Sequence, residues 1–240
     1  LSMQPGTIVK FQAGAMWTVN GKLLVDGSSG NPVVFTSFQD DSAGGDSNVD
    51  GNLTSPQRGD WQYMVFNSGA SGSHINQAVV RYGGMPTLKM VTTLVNMDHV
   101  LLDMNRQAVL ATNSSGEFSN LTFTNNSEYA IHSTGTAFNV PNSRFANNQR
   151  GILIQSSPIT SPVMLNNAFE NNIEYAYKTD ASAFYLLGEQ NIFTSTVGNT
   201  VKVDNETLAQ SSTRFYAGRV YQLGTVTTLP TVTVTIDAGA

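Results

Sequence analysis

Cysteine is absent from this 240-residue chain, and its lysines and arginines number only 12 against 17 acids, so it can build neither a disulfide framework nor a basic stripe for nucleic acid. Charged residues make up 12% of the chain and the formal net charge is −5, which leaves the surface to Asn, Ser, Thr and Gln, polar but nearly uncharged. No run of about 18 apolar residues occurs, which excludes a membrane-spanning helix. No window sustains apolar residues at i, i+3, i+4 and i+7, which excludes a bundle of amphipathic helices. A leader peptide is also missing, as expected of a chain that starts in mid-repeat. The length suffices for one well-buried domain.

What the chain does have is repetition. Leu121-Thr122-Phe123-Thr124-Asn125-Asn126, Ser143-Arg144-Phe145-Ala146-Asn147-Asn148 and Asn167-Ala168-Phe169-Glu170-Asn171-Asn172 each place one aromatic before a pair of asparagines, and Asn191-Ile192-Phe193-Thr194 begins a fourth copy. The phenylalanines are spaced by 22, 24 and 24 residues, and stepping back by 22 reaches Leu101 and Val79. A second short apolar stretch follows each anchor: Ala108-Val109-Leu110, Ala130-Ile131, Gly151-Ile152-Leu153-Ile154, Ala176-Tyr177 and Thr200-Val201-Lys202-Val203. Two short strands per turn, separated by polar corners, predict a stacked parallel β-solenoid whose inward side chains fill a narrow core. Asparagine suits such corners because it tolerates left-handed backbone and its amide can bond to the next asparagine in the ladder. A longer period is written at the termini. Leu1-Ser2-Met3-Gln4-Pro5-Gly6-Thr7 matches Val234-Thr235-Ile236-Asp237-Ala238-Gly239-Ala240 in outline, 233 positions on, as expected of one unit of a tandem array or polymer.

The Phe-x-Asn-Asn rungs resemble the right-handed parallel β-helix repeat of pectate-lyase-like proteins. Pro5-Gly6-Thr7-Ile8-Val9-Lys10-Phe11, Gly21-Lys22-Leu23-Leu24-Val25-Asp26-Gly27, Pro32-Val33-Val34-Phe35-Thr36-Ser37 and the Gly-rich stretch to Gly59-Asp60-Trp61 resemble β-helix segments of large bacterial secreted and surface proteins. The resemblance spans nearly the whole chain and implies an all-β right-handed β-helix at an extracellular or cell-surface location in a bacterium, where a solenoid without cysteine is ordinary. Within one unit of 1–240 the expected divisions are opening turns 1–78 carrying an inserted loop at 39–60, regular turns 79–210, and closing strands 211–240 leading to the next unit.

The acidic loop carries the most suggestive chemistry. Asp46-Ser47-Asn48-Val49-Asp50-Gly51 matches the first half of a D-x-N-x-D-G calcium loop, in which alternate oxygens converge on a hard cation. Gln57 stands where the closing glutamate belongs, so an EF-hand is not expected, and Asp60 or Asp40 would have to complete the shell. The plain alternative is an extended loop held by Asx-turns.

β-helices that cleave acidic polysaccharides need grouped carboxylates and a base. Here Asp98, Asp103, Asp180 and Asp204 are isolated in sequence, His74, His99 and His132 lack metal-ligand spacing, and Arg81 is either a base near the acidic loop or a structural clamp. Among ten indole and phenol rings, Trp17, Trp61, Tyr63, Tyr82, Tyr129, Tyr175, Tyr177, Tyr185, Tyr216 and Tyr221, the chosen glycan-stacking candidates are Trp61, Tyr63, Tyr129 and Tyr175, the last two at one repeat position and expected to face solvent. Asn52, Asn113, Asn120, Asn125 and Asn205 begin N-x-S/T sequons.

The expected function is an extracellular structural or adhesive module that stacks end to end into a fibre, with copies of itself or adjacent repeats as partners and without catalysis. Leu1, Met3, Ile8, Val9 and Phe11 at one end and Val232, Val234 and Ile236 at the other are the expected junction residues. The alternatives are a carbohydrate-binding adhesin, favoured by an exposed aromatic column, and a polysaccharide lyase or hydrolase, favoured by a cleft joining the acidic loop to Arg81. Calcium is the one cofactor expected, and nucleic acid is not a partner.

Overall fold

The computed structural model describes residues 1–135, 137–155, 164–180, 187–194, 198, 200–204, 206–208 and 213–240. They form a right-handed parallel β-solenoid of about nine turns, in which every strand-to-strand ladder is parallel. Short β-branched and aromatic runs punctuated by Asn, Gly and Ser can each bury only one face, so each gains its core by lying over the copy one turn earlier.

The longest ladder has nine rungs, from Met16–Val19 through Tyr63–Phe66, Leu88–Val91, Val109–Thr112, Tyr129–Thr134, Arg150–Gln155, Tyr175–Thr179 and Thr200–Val203 to Val220–Leu223. The five from Val109–Thr112 to Thr200–Val203 contain the second apolar stretches read from the sequence. The Phe anchors form another ladder, Thr122–Thr124, Arg144–Ala146, Ala168–Glu170 and Ile192–Phe193, continued toward the N-terminus by the later halves of Val95–Asp103 and Ser73–Arg81 and then by Val33–Ser37 and Ile8–Phe11. The expectation of two strands per turn is incomplete. Ser73–Arg81 and Val95–Asp103 are nine-residue strands bent at Gln77 and His99, whose positive φ values of 49° and 51° turn the chain onto a third face shared with Leu24–Asp26 and Ser2–Met3.

Phe123, Phe145, Phe169 and Phe193 stack at centroid separations of 4.9, 5.0 and 5.0 Å, the rung spacing of a sheet. One anchor assignment is corrected. Phe123 lies over Leu102 and Leu102 over Val80, so Leu101 and Val79 point outward instead. The rung between Leu102 and Phe123 is 21 residues long, and a slip of one residue exchanges the core face for the outer face.

The asparagine pairs divide their work. Asn125, Asn147 and Asn171 adopt φ of 55°, 56° and 50° at the corner, while Asn126, Asn148 and Asn172 are buried in a ladder of side-chain amides. Asn148 donates from Nδ2 to the Phe123 carbonyl (3.0 Å) and Asn172 Oδ1 (3.1 Å), and its Oδ1 accepts from Asn126 N (3.1 Å) and Asn126 Nδ2 (2.8 Å). Each asparagine amide thereby satisfies backbone groups of the rung before it.

Candidate functional site

The inserted loop is tied down at several levels of the solenoid. Near its start, Asp40 is buried and pairs with Arg81 Nη2 at 2.6 Å; Ser42 Oγ donates to it at 2.6 Å, as does the Thr36 hydroxyl. Burial pushes the Asp40 carboxyl up, but the hydrogen bonds from Ser42 and Thr36 and the Arg81 charge outweigh it and hold it below the ordinary carboxylate value. The clamp is therefore fully present above that ordinary value and is lost only as pH falls through the lowered one. Arg81 also donates to Thr36 and Ser42 and stands 5.5 Å from the Tyr82 ring, so it is the structural clamp of the two roles considered. In the middle, Lys10 Nζ donates to the Gly45 carbonyl at 2.5 Å. At the end, Arg58 reaches the Asn125 carbonyl at 2.9 Å and Met104 Sδ at 3.2 Å, and Gly59 N donates to the Tyr82 carbonyl at 3.1 Å.

Between these anchors the loop folds on itself. Asp46 accepts from Gly51 N (2.8 Å) and Asp50 N (3.2 Å), and the Gly51 bond leads the contacts that lower its carboxyl below the ordinary range. Asn48 Nδ2 donates to Asp50 Oδ2 (2.8 Å) and Thr54 Oγ1 (2.9 Å). Asp41, Asp46 and Asp50 each bring a carboxylate oxygen within 4.8 Å of the others, the one such group among the described residues. Asp41 Oδ1, Asn48 Oδ1 and Asp50 Oδ1 are buried without a hydrogen-bond donor. Three converging carboxylates, with oxygens left without a donor, fit a calcium ion, which takes hard oxygen ligands. Of the expected ligands, Asp46 and Asp50 lie in this group together with Asp41, and Asn48 bonds to Asp50 beside it, while Asp40 is spent on Arg81 and Asp60 accepts from Ser37 Oγ (2.7 Å) and Gln57 N (2.9 Å). Asp41, one of the acids of this loop, is not among the expected ligands because it lies outside the D-x-N-x-D spacing; only the fold-back of the loop brings it near.

The aromatic platform does not assemble. Trp61 is fully buried, stacked on Phe11 at 4.4 Å and donating Nε1–H to the Arg81 carbonyl. Tyr129 and Tyr175 do share a column, but Arg150 occupies the rung between them, and Tyr175 is only 4% exposed. Arg150 lies 5.0 Å from the Tyr129 ring and pairs with Glu128 at 2.6 Å and Glu174 at 2.7 Å; burial raises the Tyr175 phenol. Tyr63 is half-buried in the outer column with Met16, and Tyr177 is fully buried. Tyr185 and the sequon at Asn205 lie outside the described residues. His74 pairs with Asp26 and His99 with Asp98, both at 2.8 Å on the outer face, and His132 meets Gln155 at 3.2 Å.

Of the junction residues, Met3 and Phe11 point into the core, Ile8 lies on the outer wall in register with Val34, and Val9 and Val234 are half-buried against the core. Leu1 and Ile236 are exposed, and Val232 is half-buried. The two terminal segments have the same local structure. Ser2–Met3 is a strand followed by a turn in which Thr7 N donates to the Gln4 carbonyl (3.2 Å) with Gly6 at φ 80°. Thr235–Ile236 is a strand followed by a turn in which Ala240 N donates to the Asp237 carbonyl (3.1 Å) with Gly239 at φ 83°. The turn forms with proline at position 5 and with alanine at position 238.

No helix among the described residues is long and apolar enough to cross a membrane. No curated protein matches the chain. Among solved structures it is similar to an alginate lyase from Paenibacillus sp. str. FPU-7, at 10% identity and a TM-score of 0.24, over 98% of this chain and 93% of that one. The family described as "Right handed beta helix region" matches residues 93–215, the stretch that contains the Phe stack and the asparagine ladder, and the chain belongs to that right-handed β-helix family.

Proposed function

We propose that this chain is an extracellular structural or adhesive module of a bacterial surface or secreted protein, joined end to end with further β-helical units into a fibre. The observation that carries this reading is the shared local structure of residues 1–7 and 234–240, the same strand, turn and left-handed glycine 233 positions apart. A solenoid has unpaired backbone groups at each end, and a non-closing head-to-tail contact satisfies them while generating a filament. The competing readings draw less support. A glycan platform loses Trp61 and Tyr175 to burial, and the base required of a lyase, Arg81, is bound to Asp40.

A calcium ion held by Asp41, Asp46, Asp50 and Asn48 is the cofactor in this reading. When bound it would occupy the oxygens left without a donor and fix the loop against the opening turns. Negative-stain electron microscopy of the native protein, with and without a calcium chelator, tests both parts. Regular fibres are expected, shortened or lost on chelation. Compact single particles in both conditions would sink the fibre, and fibres indifferent to chelation would remove the ion from assembly.

A further inference from the structure

The inserted loop encloses more than its carboxylates. Between it and the chain at Gln12 and at Ser37 to Gln39 lies a cavity of about 350 Å3, within the range that small ligands fill. Its lining is held in place from both sides. Phe38 N donates to the Phe11 carbonyl (2.8 Å), and Gln39 N donates to Ser37 Oγ (3.1 Å), whose hydroxyl donates in turn to Asp60 Oδ2 (2.7 Å). On the loop side, Asp50 Oδ2 accepts from Asn48 Nδ2 (2.8 Å) and Thr54 Oγ1 (2.5 Å), which fixes the wall that Asn48 and Thr54 form.

Three polar groups in this lining are left over. The side-chain amides of Gln12 and Gln39 and the Oδ1 oxygen of Asp60 have no hydrogen-bond partner among the described residues, and the half-buried Phe38 ring stacks on no other ring there. A carboxamide presents a donor and an acceptor side by side, which matches two neighbouring hydroxyls, and a phenyl face covers the C–H groups on one side of a sugar ring. No lysine or arginine lines the cavity, and the Asp60 carboxylate is its one charge, so an acidic ligand is repelled. We propose that this cavity binds one unit of a neutral saccharide, with Phe38 against the ring and Gln12, Gln39 and Asp60 Oδ1 on its hydroxyls. A wall already fixed by Asp50 and Ser37 loses little freedom when the ligand enters. The site is complete within one copy, so it stands or falls independently of whether the ends join.

Saturation-transfer NMR and calorimetry on the unsubstituted protein test the site, with the methyl glycosides of glucose, galactose, mannose and N-acetylglucosamine and that of glucuronic acid as probes. At least one neutral glycoside is expected to bind saturably, and the glucuronide about tenfold more weakly or not at all. Gln39→Ala removes a side chain that bonds to nothing in the fold, and Phe38→Ala removes the ring; each is expected to weaken the neutral sugar by about tenfold. Asp60→Asn is expected to narrow the gap between glucuronide and neutral glycosides, and Gln222→Ala, exposed and outside the cavity, to leave binding unchanged. Binding of none of the four neutral glycosides overturns the proposal. So does binding that survives both Gln39→Ala and Phe38→Ala, or glucuronide binding as tight as that of the neutral sugars.

Discussion

Adjacent asparagines in this chain have opposite physical duties, and substitution separates them. Asn147 is at the corner with φ 56°, where a β-branched side chain is strained and glycine is not. Asn148 is buried, and its amide joins the rungs above and below. Asn148→Ala strands the Phe123 carbonyl and the Asn126 amide groups in the core, at roughly 1–3 kcal/mol for each group left unsatisfied. Asn147→Gly is expected to change stability by less than about 0.5 kcal/mol and Asn147→Val to cost about 1–2 kcal/mol. Urea unfolding of the three variants checks the order, and similar losses for Asn147→Gly and Asn148→Ala would contradict the division. Sequence reading foresaw both capacities of asparagine, but a spacing of one residue could not say which member turned inward.

At the scale of strands, the spacing between rungs governs what the sequence can contain. Gly151 lies so close to the strand Tyr175–Thr179 that an added Cβ would stand 2.0 Å from the Ala176 carbonyl oxygen. Gly151→Ala must therefore push the Arg150–Gln155 and Tyr175–Thr179 rungs apart, with an expected cost of about 3 kcal/mol, the upper end for overpacking. Hydrogen exchange should show faster exchange concentrated in those two strands, because each rung contacts only its neighbours. Uniform loosening of the whole solenoid, or none, would count against it. The Phe column was legible in the sequence because every copy from Phe123 onward carries the same ring in the same register. Upstream the rings give way to Leu102 and Val80 and the rung shortens by a residue, so an extrapolated period landed on the outer face. The third strand face was hidden for a related reason. Its bends fall on His99 and on Gln77, a residue with no preference for the left-handed backbone it adopts there.

Across the whole molecule, the inserted loop is the element that ties distant turns together. Its anchors run from Lys10 through Arg81 to Asn125, so it bridges rungs that the nearest-neighbour stacking of a solenoid leaves independent. The Asp and Asn spacing marked this loop as a candidate ion site, but it could not show that Arg81 and Ser37 hold Asp40 and Asp60 apart from the grouped Asp41, Asp46 and Asp50. A calcium ion on Asp41, Asp46 and Asp50 would bind only the folded loop and so stabilise the opening turns through mass action, by about 2.7 kcal/mol at a hundred times its dissociation constant. Thermal unfolding with added calcium should therefore shift upward in the native protein. Asp46→Asn combined with Asp50→Asn should abolish that shift, while Asp60→Asn, which removes a carboxylate outside the group, should retain it. Magnesium should be a poor substitute, since it demands near-octahedral geometry and keeps its waters. An equal calcium shift in the Asp46/Asp50 double variant would place the ion elsewhere, and no shift in the native protein would leave the loop held by its Asx-turns, Lys10, Arg81 and Arg58 alone.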